Sequence, residues 1–208
     1  MNNIFGYKVS NSKYPQMKII ETPRFILRPA TLQDVPDIYE YLCKEKVVQY
    51  LPFNAHKTIN DTKRFVQIFF INNYKQGKIG NYVIYHKNDK KVIGNIGINN
   101  IRTKSKEGEI GICINPKYWG NDYSTELTVI TLITGFELLD LDKLVALTYS
   151  ENKYTPKSLN NLGFKYVKTY KPKRNLQVSH RFELTKSDYL QLKKEYLPKL
   201  VKGFYWYN

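Results

Sequence analysis

Glu109-Ile110-Gly111-Ile112-Cys113-Ile114-Asn115-Pro116-Lys117-Tyr118-Trp119-Gly120-Asn121-Asp122-Tyr123-Ser124-Thr125-Glu126 is the stretch on which the fold turns. Its first six residues alternate strictly. Ile110, Ile112 and Ile114 share one face and Glu109, Gly111 and Cys113 the other, which is the two-residue period of a strand. Pro116 ends that strand because it has no N–H to give a ladder. A turn containing Gly120 follows. Val129, Leu132, Ile133 and Phe136 then recur at helical spacing in a helix from about Tyr123 to Leu139. A glycine turn opening a helix directs free N–H groups and the positive end of the helix dipole at one point, which suits a phosphate. Ser124 and Thr125 add hydroxyl donors. The glycine spacing matches neither a P-loop nor a dinucleotide fingerprint. On these residues alone, an ordinary strand-to-helix turn with Gly120 placed for backbone reasons stays open.

Downstream, Leu144 to Tyr149 reads as a strand and Thr155 to Leu162 as a short helix that Gly163 closes. Phe164 to Tyr170 and Val178 to Leu184 read as strands, and Ser187 to Tyr196 as a terminal helix. The strand–helix–strand piece from 109 to 149 asks for a parallel pair. Upstream, Lys18 to Pro29 is a strand, and Thr31 caps a helix with Asp34 in its first turn. Thr58 or Asn60 opens a second helix, with Phe65, Ile68, Phe69 and Asn72 on one face and Gly77 as its stop. Tyr82 to Tyr85 and Lys91 to Ile98 form a hairpin, followed by a polar, basic loop from Asn99 to Lys106. The expectation is an α/β (α+β) domain over residues 18–185 with a single, mostly antiparallel sheet. A polar, irregular N-terminal extension, 1–17, precedes it, and a C-terminal helix and tail, 186–208, pack on the same domain.

The 208 residues are enough for one sizeable core, and an apolar share of 42% excludes a disordered chain. Lys and Arg number 33 against 18 Asp and Glu, a net charge of +15. That balance points to an anionic partner without choosing among a phosphorylated cofactor, nucleic acid and a membrane surface. No apolar run reaches about 18 residues and the N-terminus lacks a signal-peptide pattern, so no membrane segment is expected. Cys43 and Cys113 are too few and too far apart for a disulfide framework or a metal pair, which gives a reducing, cytoplasmic reading. His56, His86 and His180 stand isolated, as surface or packing residues, and no metal is expected.

Taken in order, several motifs resemble the GNAT superfamily of acetyl-CoA-dependent N-acyltransferases, and within it the ribosomal-protein alanine acetyltransferase branch. Thr22-Pro23-Arg24-Phe25-Ile26-Leu27-Arg28-Pro29 with Asp34 is similar to that branch's opening strand. Val92-Ile93-Gly94-Asn95-Ile96-Gly97 is similar to its V-I-G-x-I-G strand. Glu109-Ile110-Gly111 with Pro116, Trp119-Gly120 and Tyr123 to Glu126 resembles E-I-G…P…W-G-x-G-Y-A-T-E. Glu151-Asn152 through Leu162-Gly163-Phe164 keeps the E-N…L-G-F spacing. The resemblance covers about residues 18–185.

The resemblance implies a GNAT fold with a splayed parallel strand pair, here 109–114 and 144–149. It implies acetyl-CoA as co-substrate and an amine acceptor, which is a protein N-terminus or a small-molecule amine. The pantetheine arm would pair with the backbone of Ile112, Cys113 and Ile114. The pyrophosphate would lie on the turn formed by Lys117, Trp119, Gly120, Asn121, Asp122, Tyr123, Ser124 and Thr125. Asn152 and Ser158 complete the cofactor set, Asn152 holding the pantetheine or the acceptor, with a helix cap as its other reading. Glu109 is the candidate base, alone or through water, against a solvated strand carboxylate. Thr155 or Tyr154 is the candidate acid for the leaving sulfur, since the tyrosine that many GNAT enzymes use falls at Leu159. Cys113 reads as a packing thiol before a nucleophile. Phe5, Tyr205 and Trp206 are candidates for an acceptor pocket or for core. The runs Arg102 to Lys106 and Lys171 to Arg174 read as solvated charge or as contacts to the cofactor's 3′-phosphate or an acidic acceptor.

Two departures stand out. Lys117 keeps the positive charge at the first position of the turn pattern. Asp122 stands where Gly or Ala is usual, and a carboxylate there repels a pyrophosphate unless it caps the helix from Tyr123. The alternative function is therefore a catalytically silent GNAT module that binds CoA or RNA through its basic surface. Nucleic acid is not required by the leading reading, and a homodimer is compatible with it. The net charge of +15 disfavours polycationic acceptors at long range.

Overall fold

The computed structural model describes residues 2–4, 7–171 and 177–195. Phe5, Pro172 to Arg174, Tyr196, Tyr205 and Trp206, and with them the tail, lie outside the described residues. In chain order the elements are β1 (Asn2–Ile4), β2 (Tyr7–Asn11), β3 (Lys18–Glu21), β4 (Phe25–Arg28), α1 (Val35–Leu42), α2 (Glu45–Val48), α3 (Ile59–Phe65), α4 (Asn73–Lys75), β5 (Asn81–His86), β6 (Lys91–Arg102), β7 (Glu107–Ile114), α5 (Tyr123–Ile133), β8 (Lys143–Tyr149), α6 (Thr155–Asn161), β9 (Lys165–Tyr170), β10 (Ser179–Thr185) and α7 (Lys186–Glu195). The strands form one mixed sheet in the order β1-β2-β3-β4-β5-β6-β7-β8-β10-β9. Among the described residues β7–β8 is the parallel pair, and the other recorded ladders are antiparallel. The chain divides into two compact units, residues 1–97 with 112–123 and residues 98–111 with 124–208.

In the first unit the β1–β6 meander carries α1 to α4 between β4 and β5. The opening motif works as a local clamp. Arg28 gives Nη1 and Nη2 to the two Asp34 oxygens at 2.9 and 2.7 Å, and the Thr31 N–H donates to Asp34 Oδ2 at 2.7 Å. Strand β4 and the start of α1 are thereby locked by one bidentate ion pair and a capping box. Thr58 caps α3 in the same way with Asp61. The helix then widens into π turns over Val66–Asn72 before α4, and Gly77 ends it at φ +72°. Phe25, Ile38, Phe70, Tyr74 and Ile93 are buried in this unit. Residues 1–17, read as irregular, supply two strands: Tyr7–Asn11 pairs along β3 from Lys8↔Glu21 to Asn11↔Lys18.

In the second unit α5 is buried along nearly its whole length, from Glu126 to Ile133. Its threonines fit because their hydroxyls turn back on the helix. Thr128, Thr131 and Thr134 donate to the carbonyls of Ser124, Leu127 and Ile130 at 2.7, 2.9 and 2.8 Å. Strand β8 then pairs with β7 and β10. Helix α7 closes the unit, with Tyr189 stacked on Phe136 at 4.6 Å and its hydroxyl on Glu137 at 3.0 Å. The basic segment after Ile98, read as a loop, stays in β6 as far as Arg102.

The first glycine of the V-I-G-x-I-G segment has a steric reason. A Cβ on Gly94 would lie 2.2 Å from the Cys113 carbonyl oxygen, so only glycine lets β6 pass β7 there. Gly94→Ala is expected to destabilise the protein by about 1–3 kcal/mol, as overpacking does, with a lower urea midpoint and an unchanged slope as the check.

Candidate active site

The turn after β7 hangs on one buried amide. Asn115 is 0% exposed. Its N–H donates to the Ile93 carbonyl at 2.7 Å, and its Oδ1 accepts from the Lys117 N–H at 3.2 Å and from Lys44 Nζ at 3.4 Å. Its Nδ2 donates to Glu40 Oε1 at 3.1 Å. Glu40, on α1, also takes Lys117 Nζ at 2.8 Å and the ammonium of Lys91. Hydrogen bonds from Lys117 and Lys91 hold its carboxyl down at about 2. The Lys117 charge expected to face a phosphate is thus tethered to α1.

Trp119 is 51% exposed, yet its Nε1 donates to the Ile114 carbonyl at 2.9 Å, and Lys46 lies over its ring at 5.8 Å. Gly120 sits at φ +82° with open space around its Cβ position. Asn121 donates to the Tyr118 carbonyl at 3.3 Å. Asp122 is exposed and sits at φ +55°, the left-handed region that favours glycine. That backbone differs from the extended conformation of a helix cap, so the capping role considered for Asp122 is not the one adopted. Tyr123, at the head of α5, bonds His86 Nε2 at 3.1 Å and stacks edge-on with Phe25 at 5.0 Å. His86 is buried, with its Nδ1 3.4 Å from Asp89 Oδ2. His56 bonds Thr62 at 2.8 Å and His180 bonds Thr169 at 2.9 Å. All three histidines take part in local packing.

On β7, Ile112 is half-buried while Cys113 and Ile114 are buried. Burial pushes the Cys113 thiol up to about 12, which makes it a packing group rather than a thiolate nucleophile. Ser124, exposed, and Thr125, half-buried, follow in the first turn of α5.

In the second unit the β7–β8 ladder is short. It runs from Glu107↔Lys143 to Glu109↔Val145 and stops, while β7 continues to Ile114 and β8 to Tyr149. Glu109 stands at that last rung, half-buried, with Oε2 accepting from Asn100 Nδ2 at 3.1 Å. Beyond β8, Asn152 Oδ1 accepts the N–H groups of Tyr154 and Thr155, each at 3.1 Å. Its Nδ2 donates to Thr155 Oγ1 at 2.8 Å. Asn152 therefore organises the α6 entry from two residues before the N-cap, Tyr154. Thr155 Oγ1 already accepts and keeps its own O–H to donate. Tyr154 and Ser158 are exposed. Asn152, Tyr154 and Thr155 are brought together, and Ser158 lies one turn further along α6.

The residues missed from sequence are Glu40, Lys91, Lys44 and Asn100, joined to the site by contacts distant along the chain. Asn115 had a local signal, since Asn before Pro favours a turn. Among the described residues no group of three or more His, Cys, Asp or Glu is placed to hold a metal. No helix there is long and apolar enough to cross a membrane.

The family model described as an acetyltransferase (GNAT) domain matches residues 24–165. The chain belongs to the GNAT acetyltransferase family. It is 28% identical to an uncharacterized N-acetyltransferase, YoaA, of Bacillus subtilis, over 70% of this chain and 82% of that protein. The fold is shared with the ribosomal-protein-S5-alanine acetyltransferase of Vibrio fischeri, at a TM-score of 0.68 and 20% identity over 82% of this chain and 97% of the other. It is shared too with spermidine N-acetyltransferase of Vibrio cholerae solved in complex with CoA and spermine, at a TM-score of 0.69 and 17% identity over 81% and 99%. Both the GNAT family and the acetyltransferase class expected from the motifs hold.

Glu40 gives a pH test of the turn. Its folded carboxyl is depressed, so its contribution is fully present above the ordinary carboxylate value, 4.5, and fades as pH falls from there through about 2. Glu40→Gln is expected to lower stability at neutral pH and to flatten the acid limb of a melting-temperature profile. A mutant profile parallel to wild type through pH 4 to 2 contradicts this.

Proposed function

We propose that this GNAT acetyltransferase moves an acetyl group from acetyl-CoA to a primary amine by direct attack. The observation that carries the reading is the β7–β8 ladder ending at Glu109↔Val145, with a carboxylate on its last rung. Backbone beyond a ladder's end is free to bond a peptide-like pantetheine, and Ile112, Cys113 and Ile114 are proposed to do so. The turn from Lys117 through Thr125 and the head of α5 hold the pyrophosphate. The open Gly120 position and the Ser124 hydroxyl support that, and the Asp122 carboxylate opposes it. Asn152 orders the entry to α6, and Asn152 and Ser158 are kept as cofactor contacts on the resemblance.

Glu109 takes the proton that the amine loses, directly or through a water. The amine nitrogen bonds the thioester carbon, and backbone N–H groups near Cys113 and Ile114 hold the oxyanion. The carbon–sulfur bond breaks with its electron pair on sulfur, and Thr155 or Tyr154 supplies the proton that makes the free thiol. The products are an amide and CoA. Residues 18–185 form the proposed catalytic domain, working in the cytoplasm as monomer or homodimer.

The second reading, a silent module, rests on Asp122. Calorimetric titration with acetyl-CoA separates the two in part. At 100-fold above the dissociation constant the expected stabilisation is about 2.7 kcal/mol, and absence of binding removes the enzyme reading. Asp122→Gly removes both a like charge and a left-handed aspartate, so CoA is expected to bind a few-fold tighter, since a charge at a helix N-terminus is worth about 0.3–1 kcal/mol.

Glu109→Gln keeps volume and CoA affinity, and turnover is expected to fall roughly 10²–10⁴-fold. The loss shrinks as pH rises toward the amine's own value, because the amine then arrives neutral. Equal turnover with parallel pH profiles takes Glu109 out of the mechanism.

A further inference from the structure

One face of the sheet in the second unit uses its charges unevenly. Register puts Glu107 and Glu109 of β7 on that face with Lys143, Val145, Leu147 and Tyr149 of β8 and Arg181 and Glu183 of β10. Two of the three carboxylates are neutralised in place. Arg181, its side chain 12% exposed, gives Nη2 to Glu107 at 2.9 Å and Nε to Glu183 at 2.5 Å. Arg102 reaches Glu107 at 3.3 Å and Lys143 reaches Glu183 at 2.8 Å. Glu109 differs: its bond is to the neutral amide of Asn100, and among the described residues it has no ion pair. Among the described residues Glu109 is therefore the one carboxylate of this face without an ion pair.

Beside that charge the surface is apolar. Val145, the rung partner of Glu109, is buried at 2% exposure, so the open apolar surface begins beyond it. Leu147 follows two residues on, and it is 43% exposed although β8 is an interior strand. Tyr149, half-exposed, continues the row. An interior strand that leaves a leucine open, in line with a lone carboxylate, matches a ligand with a cationic head and an apolar stem.

We propose that this face binds the acceptor as a monocation, with its ammonium at Glu109 and its apolar stem along Leu147 and Tyr149. The inference rests on the acetyltransferase reading above. A second or third ammonium on the same molecule finds Glu107 and Glu183 already paired with Arg102, Arg181 and Lys143, so the face selects against polyamines. The chemistry is that of an apolar primary amine, free or at the N-terminus of a peptide that begins with a large apolar residue.

The test is acetyl-CoA consumption by the full-length protein against ethylamine, hexylamine, 2-phenylethylamine, a Phe-Ala-Ala peptide amide, putrescine and spermidine. Acetyl-CoA titration is run on the same sample. At least one of hexylamine, 2-phenylethylamine and the peptide is expected to exceed spermidine tenfold or more in kcat/KM, and the peptide arm tells the two sources apart. Leu147→Ala is expected to lower the hexylamine-to-ethylamine ratio of kcat/KM about tenfold, the scale of a lost apolar contact. Leu147→Glu is expected to raise putrescine relative to hexylamine, with a melting curve to confirm folding. A preference for spermidine or putrescine, an unchanged ratio in Leu147→Ala, or no turnover of any amine by protein that binds acetyl-CoA overturns the proposal and leaves the cofactor reading standing. Failure to bind acetyl-CoA removes both.

Discussion

A buried amide must find partners for both its ends, and Asn115 shows how much architecture that need can organise. It lies where β7 ends and the turn begins. Its oxygen shapes the turn by taking the Lys117 N–H, and its nitrogen reaches Glu40 on α1. Glu40 in turn gathers Lys117 and Lys91. Three elements meet on one side chain with no exposure to water, where an unmade hydrogen bond would cost about 1–3 kcal/mol. The path of the chain from β7 toward α5 is set at that point, and the residues of the turn inherit their places from it.

Local chemistry was legible wherever partners lie close along the chain. Strict alternation gave β7, Thr31 with Asp34 gave the start of α1, and Gly77 gave the stop after α4. Residues 1–17 hid their strands because few of them are apolar: Lys8, Ser10 and Asn11 read as loop, and pairing of β2 with β1 and β3 makes them a strand. The left-handed backbone at Asp122 was equally hidden, since the residue type hints at charge before conformation.

The candidate site divides the same way. Glu109, Thr155 and the turn residues were nameable from motifs. Their partners were not, because Asn115 and Glu40 are 75 positions apart and no pattern of spacing connects them. Asn152 has two readings in the sequence, and its oxygen is spent on the N–H groups of Tyr154 and Thr155. The exposed Leu147 could not be foreseen either: Leu144 to Tyr149 reads as a strand, and nothing local separates Leu147 at 43% exposure from Val145 at 2% on the same face.

Two helices contain wider turns, Val66–Asn72 after α3 and Thr134–Leu138 after α5, and in the second the Leu139 N–H reaches back five residues to Thr134. Such a turn houses one more residue than the ordinary pitch. It acts as a slack loop in the register: a chain one residue shorter there regains the usual pitch while the helix on its N-terminal side keeps its facing. Single-residue gaps among sister sequences should therefore gather at these two places. The stretch of α5 between Tyr123 and Ile133, which has no such slack, should keep a constant length.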